Sequence, residues 1–350
     1  MIDPARVGRL PRLGTAAWGG IVLLVVLLAG FPLVESNQYV LNVMVTALIT
    51  LVLNTSWNFV LGIAGVWNFG MLAIYAIGAY GAGLLMLHTG LPAPIAVVLG
   101  GAAAGAISML LAFPTLRLFG IYTSLLTFSF AQVIQFVIVN DPKGLTGGSF
   151  GLPTVPGLFP NLDSVAQIRA YYWTVLAIVI AATLTVAWIR GSRLGIALRT
   201  IRDAPAYAAA RGVSPLKYRM LAFGISGFIA GVAGAMYLSY FQSVTASLMG
   251  LTPMSIDVTM LVIGGLGTTF GPIVGTGLLT FIQEALIDYP GIQLTILGTI
   301  LLLIVVFVPG GLVGLISRTR RRIGSWVDED EGSRRVDRAD ASSELRDRTG

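Results

Sequence analysis

Residues Gly191–Arg219 read GSRLGIALRTIRDAPAYAAARGVSPLKYR, a basic stretch set between two apolar runs, Tyr171–Ile189 and Met220–Phe241. Lipid offers no hydrogen bonds to polar groups, so the stretch must leave the membrane. Its excess of Arg and Lys places it on the cytoplasmic side. It also has internal order. Leu194, Ile196, Ala197, Leu198 and Ile201 interleave with Arg193, Arg199 and Arg202, as in a small amphipathic helix. Asp203 suits the cap of a second helix and Pro205 its first turn. Ala206 to Ala210 carry that helix and Gly212 ends it. A basic helix can rest on lipid headgroups. Its alanines, where a lipid-bound face would carry Leu, Phe or Trp, favour the docking of a partner protein. A structured cytoplasmic loop of this kind is a place for a separate motor to push.

Composition agrees with a membrane setting. Of the 350 residues, 55% are hydrophobic and 11% charged, against about 25% charged in a soluble domain. Mean hydropathy is +0.84. The 43 glycines suit closely packed transmembrane helices. The absence of cysteine excludes disulfides and thiolate metal sites. The single histidine, His88, falls at a span end and suits a surface role. The net charge of +6 gathers in the loops assigned to the inside, so it is no nucleic-acid footprint.

Outward from the loop, ten spans can be drawn: Ala16–Val34, Val40–Leu61, Met71–Leu87, Ala93–Phe113, Ile121–Asn140, Tyr171–Ile189, Met220–Phe241, Ile256–Leu266, Ile273–Asp288 and Ile292–Ile316. A crossing needs about 20 residues, so Ile256–Leu266 requires irregular backbone or a broken helix to complete it. The expectation is an all-α polytopic protein with both termini cytoplasmic. Residues 1–15 form the inner N-terminus, 16–316 the transmembrane domain, 191–219 the cytoplasmic loop and 141–170 a Gly/Pro-rich outer loop. Residues 317–350 form a basic, then mixed-charge tail without apolar periodicity, expected to be disordered. This orientation puts 20 of the 22 Lys and Arg residues inside; only Lys143 and Arg169 fall outside.

Little in the chain suggests covalent chemistry. The only lysines, Lys143 and Lys217, do not follow the glycines of a phosphate-binding loop, so that route to ATP hydrolysis is closed. No GxSxG elbow or HExxH occurs, and no cofactor is expected. Polar residues inside spans are few. Asn54, Thr55, Ser56 and Asn58 cluster on the second span; Tyr122, Thr127, Ser129 and Gln132 lie on the fifth. Asn54, Asn58, Tyr122, Thr127 and Gln132, with Asn68 from a glycine-bounded turn, are the expected polar lining of a pathway. Asp257, Gln283 and Glu284 sit near outer span ends, where capping competes with substrate contact. Two glycine-broken segments, Gly65–Gly70 and Gly267–Gly271, share a Phe-Gly ending before a new helix, a pattern that marks pathways or repeats in some transporters.

Several passages resemble one family in order along residues 40 to 316. They are GVWNFGMLAIYAIGAY (Gly65–Tyr80), LFGIYTSLLTFSFAQ (Leu118–Gln132), TGGSFGLP (Thr146–Pro153), RLGIALRTIRDAPAYAAARGVSPLKYRMLAFGISGFIAGVAGAMY from Arg193, MLVIGGLGTTFGPIVGTGLL from Met260, and VPGGLVGL from Val308. The chain resembles the LivM-type permease subunit of ABC importers for branched-chain amino acids. The resemblance implies a type II ABC importer permease fold and a homologous LivH-like permease as pore partner. It also implies two ATPase subunits below, an extracytoplasmic solute-binding protein, and a place in the bacterial inner membrane. On this basis Arg202, Asp203, Ala206, Ala209, Arg211 and Gly212 are the expected coupling residues. One departure stands out: the family's polar Gln/His turn is replaced by Gly65-Val66-Trp67-Asn68-Phe69-Gly70-Met71, whose Asn-Phe pair is similar to the sister permease. Alternatives are a permease of the same superfamily for urea, a nucleoside or a sugar, an ion-coupled secondary transporter, or a membrane scaffold.

Overall fold

The computed structural model describes residues 28–33, 37–118, 120–141, 144–152, 155–307 and 311–314. Among them the chain is helical, apart from an isolated bridge between Leu152 and Val244. We number the helices α1 (Gln38–Asn58, continued by a π-helical turn Phe59–Ile63), α2 (Met71–Thr89), α3 (Ala93–Thr115), α4 (Ile121–Val139), α5 (Ser164–Gly191), α6 (Arg193–Asp203), α7 (Pro205–Ala210), α8 (Pro215–Phe241), α9 (Leu251–Gly264), α10 (Gly271–Ala285) and α11 (Pro290–Phe307). Residues 28–33 are also helical, and the Tyr172 hydroxyl of α5 donates to the Leu28 carbonyl at 2.7 Å.

Among the described residues, six helices are long and apolar enough to cross a membrane: α1 with its π turn, α2 to α5, and α8. Most of the expected first span, Ala16–Val34, and the tail 317–350 lie outside the described residues. The expected weakness at Ile256–Leu266 is present as α9. Its 14 residues reach about 21 Å at 1.5 Å per residue, short of a roughly 30 Å hydrocarbon layer. It ends in a turn at Gly265–Phe270, and α10 starts afresh. The helices α5 and α8 begin seven and five residues before the apolar runs Tyr171–Ile189 and Met220–Phe241. Hydropathy marks the lipid-facing part of a helix, and the helix itself continues into polar surroundings.

The centre of the bundle is α2, α3 and α8, packed through small residues. A Cβ on Gly234 of α8 would stand 1.9 Å from the Tyr75 carbonyl oxygen, and one on Gly78 would stand 2.2 Å from the Gly231 carbonyl oxygen. Van der Waals packing, rather than water exclusion, holds helices together in lipid, so this contact is the cohesion. Gly234→Val should cost about 1–3 kcal/mol through overpacking, read as a lower thermal midpoint and yield in detergent. The control is Gly277→Val, where a Cβ meets nothing within 4 Å; equal losses in both would contradict this account.

Around that centre, burial is uneven. In α8, 78% of the apolar window is buried inside the chain, but in α4 only 22%. An apolar helix so poorly covered by its own chain presents a broad face to lipid or to another protein.

Candidate functional site

The basic loop folds as two helices. Ser192 caps α6 by accepting the Gly195 N–H at 3.5 Å. Leu198 and Ile201 turn inward and are buried, and Arg199 donates to the Arg190 carbonyl at 2.9 Å. Pro205 opens α7 as expected. The cap differs from expectation: it is Ala204, with no side-chain bond, and Asp203 ends α6 instead. The reason is a nearer partner. The Arg202 Nε donates to Asp203 Oδ1 at 2.7 Å, and this hydrogen bond holds the Asp203 carboxyl below the usual carboxylate range. A lowered carboxyl contributes above its ordinary pKa of about 3.9 and is lost only as pH falls below that. The pair therefore stays formed between about pH 5 and 8.

The Nη2 of Arg202 donates a second bond to Asp203, to Oδ2 at 3.3 Å, and the third nitrogen of this side chain reaches inward. Its Nη1 donates at 2.6 Å to the Gly62 carbonyl, in the π turn that ends α1. Carbonyls at helix ends lack intrahelical donors, and Arg202 supplies one. Its stem lies across Gly65, whose φ is +71°; a Cβ there would stand 2.1 Å from Arg202 Cγ. One arginine thus clasps the end of α1 and the start of the Gly65–Gly70 turn.

The opposite face of α7 is open. Ala208 is fully buried and Val213 donates to its carbonyl at 3.0 Å, whereas Ala206, Ala209 and Ala210 are exposed. Tyr207 is also exposed, with the Arg211 guanidinium 5.2 Å from its ring centroid. Gly212, at φ +74°, takes the left-handed turn toward α8, a conformation that side chains other than glycine's resist.

The six expected pathway residues separate into three places. Asn68 and Thr127 meet at the Gly65–Gly70 turn: Thr127 Oγ1 accepts the Phe69 N–H at 3.0 Å, and Asn68 Oδ1 accepts the Gly70 N–H at 2.9 Å. This ties the turn to α4. Asn54 and Asn58 are buried inside the subunit. Asn58 braces the second glycine turn, donating to the Thr268 carbonyl at 2.7 Å and accepting the Gly267 N–H at 2.8 Å. Asn54 Nδ2 donates to Thr276 Oγ1 at 3.0 Å. Tyr122 and Gln132 lie on α4; Tyr122 is 64% exposed, and Gln132 is half-buried beside a shallow recess with Val133, Phe136 and Asn140. Thr276 and Arg190, whose Nη1 donates to Thr269 Oγ1 at 3.1 Å, were not singled out from sequence. Their partners lie about 80 to 220 positions away along the chain, so no local pattern marks them.

At the other end of the bundle, the Gly/Pro-rich loop 141–170 is tied down. Leu152 and Val155 donate to the Val244 and Gln242 carbonyls, each at 3.0 Å. The Tyr171 hydroxyl bridges the Ser239 carbonyl and the Leu158 N–H, both at 2.6 Å. Phe150 at its tip is 95% exposed.

Six crossing-length helices among the described residues, a glycine-packed centre and a two-helix loop locked onto one end define a multi-pass, all-helical membrane protein. The chain belongs to the family described as branched-chain amino acid transport system / permease component, whose model matches residues 39–309. It is 27% identical over 316 residues to the high-affinity branched-chain amino acid transport system permease protein LivM of Escherichia coli K12, covering 84% of this chain and 74% of that one. The LivM protein of Salmonella typhimurium is 26% identical over the same shares. A probable branched-chain amino acid transport permease protein LivH of Methanocaldococcus jannaschii is 35% identical over 98 residues, 28% of this chain and 30% of that one. No solved structure matches the chain significantly.

Proposed function

We propose that the chain is one of two permease subunits of an ATP-driven importer for branched-chain or related amino acids in the bacterial inner membrane. The observation that carries this reading is the two-sided α6–α7 loop. Its inner face is clasped by Arg202 to α1 and the Gly65–Gly70 turn, and its outer face offers small exposed alanines. A loop joined rigidly to the bundle and open on the other side suits a helix seated in a groove of an ATPase subunit. ATP binding and hydrolysis there would bias the permease between two openings.

The remaining parts follow the same reading. Both termini and the α6–α7 loop are cytoplasmic, and ten spans cross the membrane. Residues 16–316 make the permease domain, with 317–350 as a cytoplasmic tail. The uncovered face of α4, bearing Tyr122 and Gln132, meets a LivH-like permease and forms with it the main pathway. The outer loop, pinned at Leu152 and with Phe150 exposed, receives a solute-binding protein. The chain hydrolyses no ATP; two separate ATPase subunits do so.

Co-expression tests the reading. The tagged chain should purify with a LivH-like permease and ATPase subunits, and loaded binding protein should stimulate ATP hydrolysis. Transport by the chain alone in liposomes would contradict it. Orientation has its own test, made clean by the lack of native cysteine. Thr146→Cys should react with a membrane-impermeant thiol reagent in intact cells and Arg211→Cys should not. Labelling of Arg211→Cys from outside would overturn the topology.

A further inference from the structure

At the end of the bundle opposite the α6–α7 loop, α1, α5, α10 and the end of α8 line an open cavity of about 760 Å³. Its walls are polar in register. On α1, Asn42, Thr46 and Thr50 face it at four-residue spacing; on α10, Thr280 and Glu284 do the same. The same spacing continues below the cavity to Asn54 and Asn58 on α1 and to Thr276 on α10, where Asn54 and Thr276 are hydrogen-bonded at 3.0 Å. A seam of polar side chains therefore runs down between two helices of one subunit. Asn54 and Thr276 hold the two helices together, whereas Thr46, Thr50, Thr280 and Glu284 line the open space beyond them.

The seam holds unused hydrogen-bonding capacity. Glu284 Oε1 and Asn54 Oδ1 are buried with no partner among the described residues. Glu284 is also the one charged side chain among the described residues that line the cavity. A buried carboxylate oxygen ordinarily has a hydrogen-bond partner, and one left without calls for a cation or a proton donor. Tyr39, Tyr240 and Phe241 line the same space, and aromatic rings attract ammonium groups. The amides of Gln167, Gln242 and Gln283 add N–H donors, while Val43, Ile168 and Ile287 form apolar wall.

We propose that this cavity binds a small solute carrying a protonated amine and a short apolar side chain, with the ammonium at Glu284. The amide donors take its carboxylate, and the apolar wall takes its side chain. The solute thus has a site inside this subunit, separate from the pathway formed with the paired permease. The choice of an amino acid as that solute rests on the function proposed above.

The experiment is equilibrium binding to the purified permease–ATPase assembly in nanodiscs, without binding protein or nucleotide. The probes are 3-methylbutylamine, leucine and 4-methylpentanoate. The amine and leucine should bind saturably and displace each other, and the carboxylate lacking an amine should not compete. Glu284→Gln should weaken amine binding at least tenfold, Glu284→Asp should restore part of it, and Thr46→Leu on the opposite wall should weaken it too. Basal ATP hydrolysis and elution profile report folding for each variant. Unchanged amine affinity in both Glu284→Gln and Thr46→Leu would overturn the proposal. So would displacement of the amine by sodium or potassium, but not by choline, at equal ionic strength, which would mark a metal-cation site. If amine binds but the complete importer takes up no amino acid, the function falls and the site stands. Normal uptake without amine binding removes the site alone.

Discussion

Replacing Arg202 with alanine should lower ATP-driven uptake at least tenfold while the ATPase subunits remain bound. The side chain reaches away from the exposed face of α7, donating to the Gly62 carbonyl and packing on Gly65. Through the Gly65–Gly70 turn it is joined to Thr127 on α4. Through the adjoining π turn it is joined to Asn58 and the Gly267 turn; a Cβ on Gly62 would stand 2.2 Å from the Gly267 Cα. On the function proposed above, movement of the loop would be delivered to two turns at once. Removing the guanidinium leaves docking intact and breaks delivery. Hydrolysis should then run without transport. Lysine should rescue only part of the activity, because one ammonium cannot serve both the Gly62 carbonyl and the Asp203 carboxylate with the geometry of a planar fork. Uptake and hydrolysis measured in parallel in proteoliposomes separate the cases. If Arg202→Ala also releases the ATPase subunits, the arginine faces the partner and the clasp does not transmit.

The second large effect is expected at Ala209. It is exposed on α7, so tryptophan there leaves the fold alone and occupies the space a groove needs. Ala209→Trp should reduce co-purification of the ATPase subunits to background and abolish uptake, with an unchanged elution profile for the permease pair. Ala208→Trp is the contrast: that site is fully buried, and the variant should lose thermal stability as well. Normal recovery of ATPase subunits with Ala209→Trp would show that this face of α7 is not where they bind.

Much of the helical order was legible in sequence, because apolar runs bounded by glycine, proline and charge mark spans directly. The split of the loop at Pro205, its end at Gly212 and the short α9 all follow from local residues. What sequence could not show was direction. In sequence Arg202 is one more basic residue of its helix beside Arg199 and Arg193, and only the folded chain puts the Gly62 carbonyl within its reach. The cap expected at Asp203 does not form for the same reason: capping propensity is local and weak, and a guanidinium 2.7 Å away outcompetes it. The polar residues of α1 were visible as a cluster at Asn54–Asn58. Their four-residue continuation through Thr50 and Thr46 to Asn42 is in the sequence too, but threonine bonds back to its own helix so commonly that the stripe gains meaning only when Thr276, Thr280 and Glu284 face it. Tyr122 and Gln132 share α4 with Thr127, yet a helix cannot announce which face its own chain leaves bare.

The central claim is that transport by this chain is driven by ATP through the α6–α7 loop. The direct measurement is uptake of radiolabelled leucine into proteoliposomes holding the chain, its LivH-like partner and the ATPase subunits, with binding protein outside and nucleotide inside. The account predicts uptake that requires hydrolysable ATP and binding protein, is indifferent to sodium and proton gradients, and disappears with Ala209→Trp. Leucine uptake that follows an imposed ion gradient, persists without the ATPase subunits and survives Ala209→Trp would contradict it.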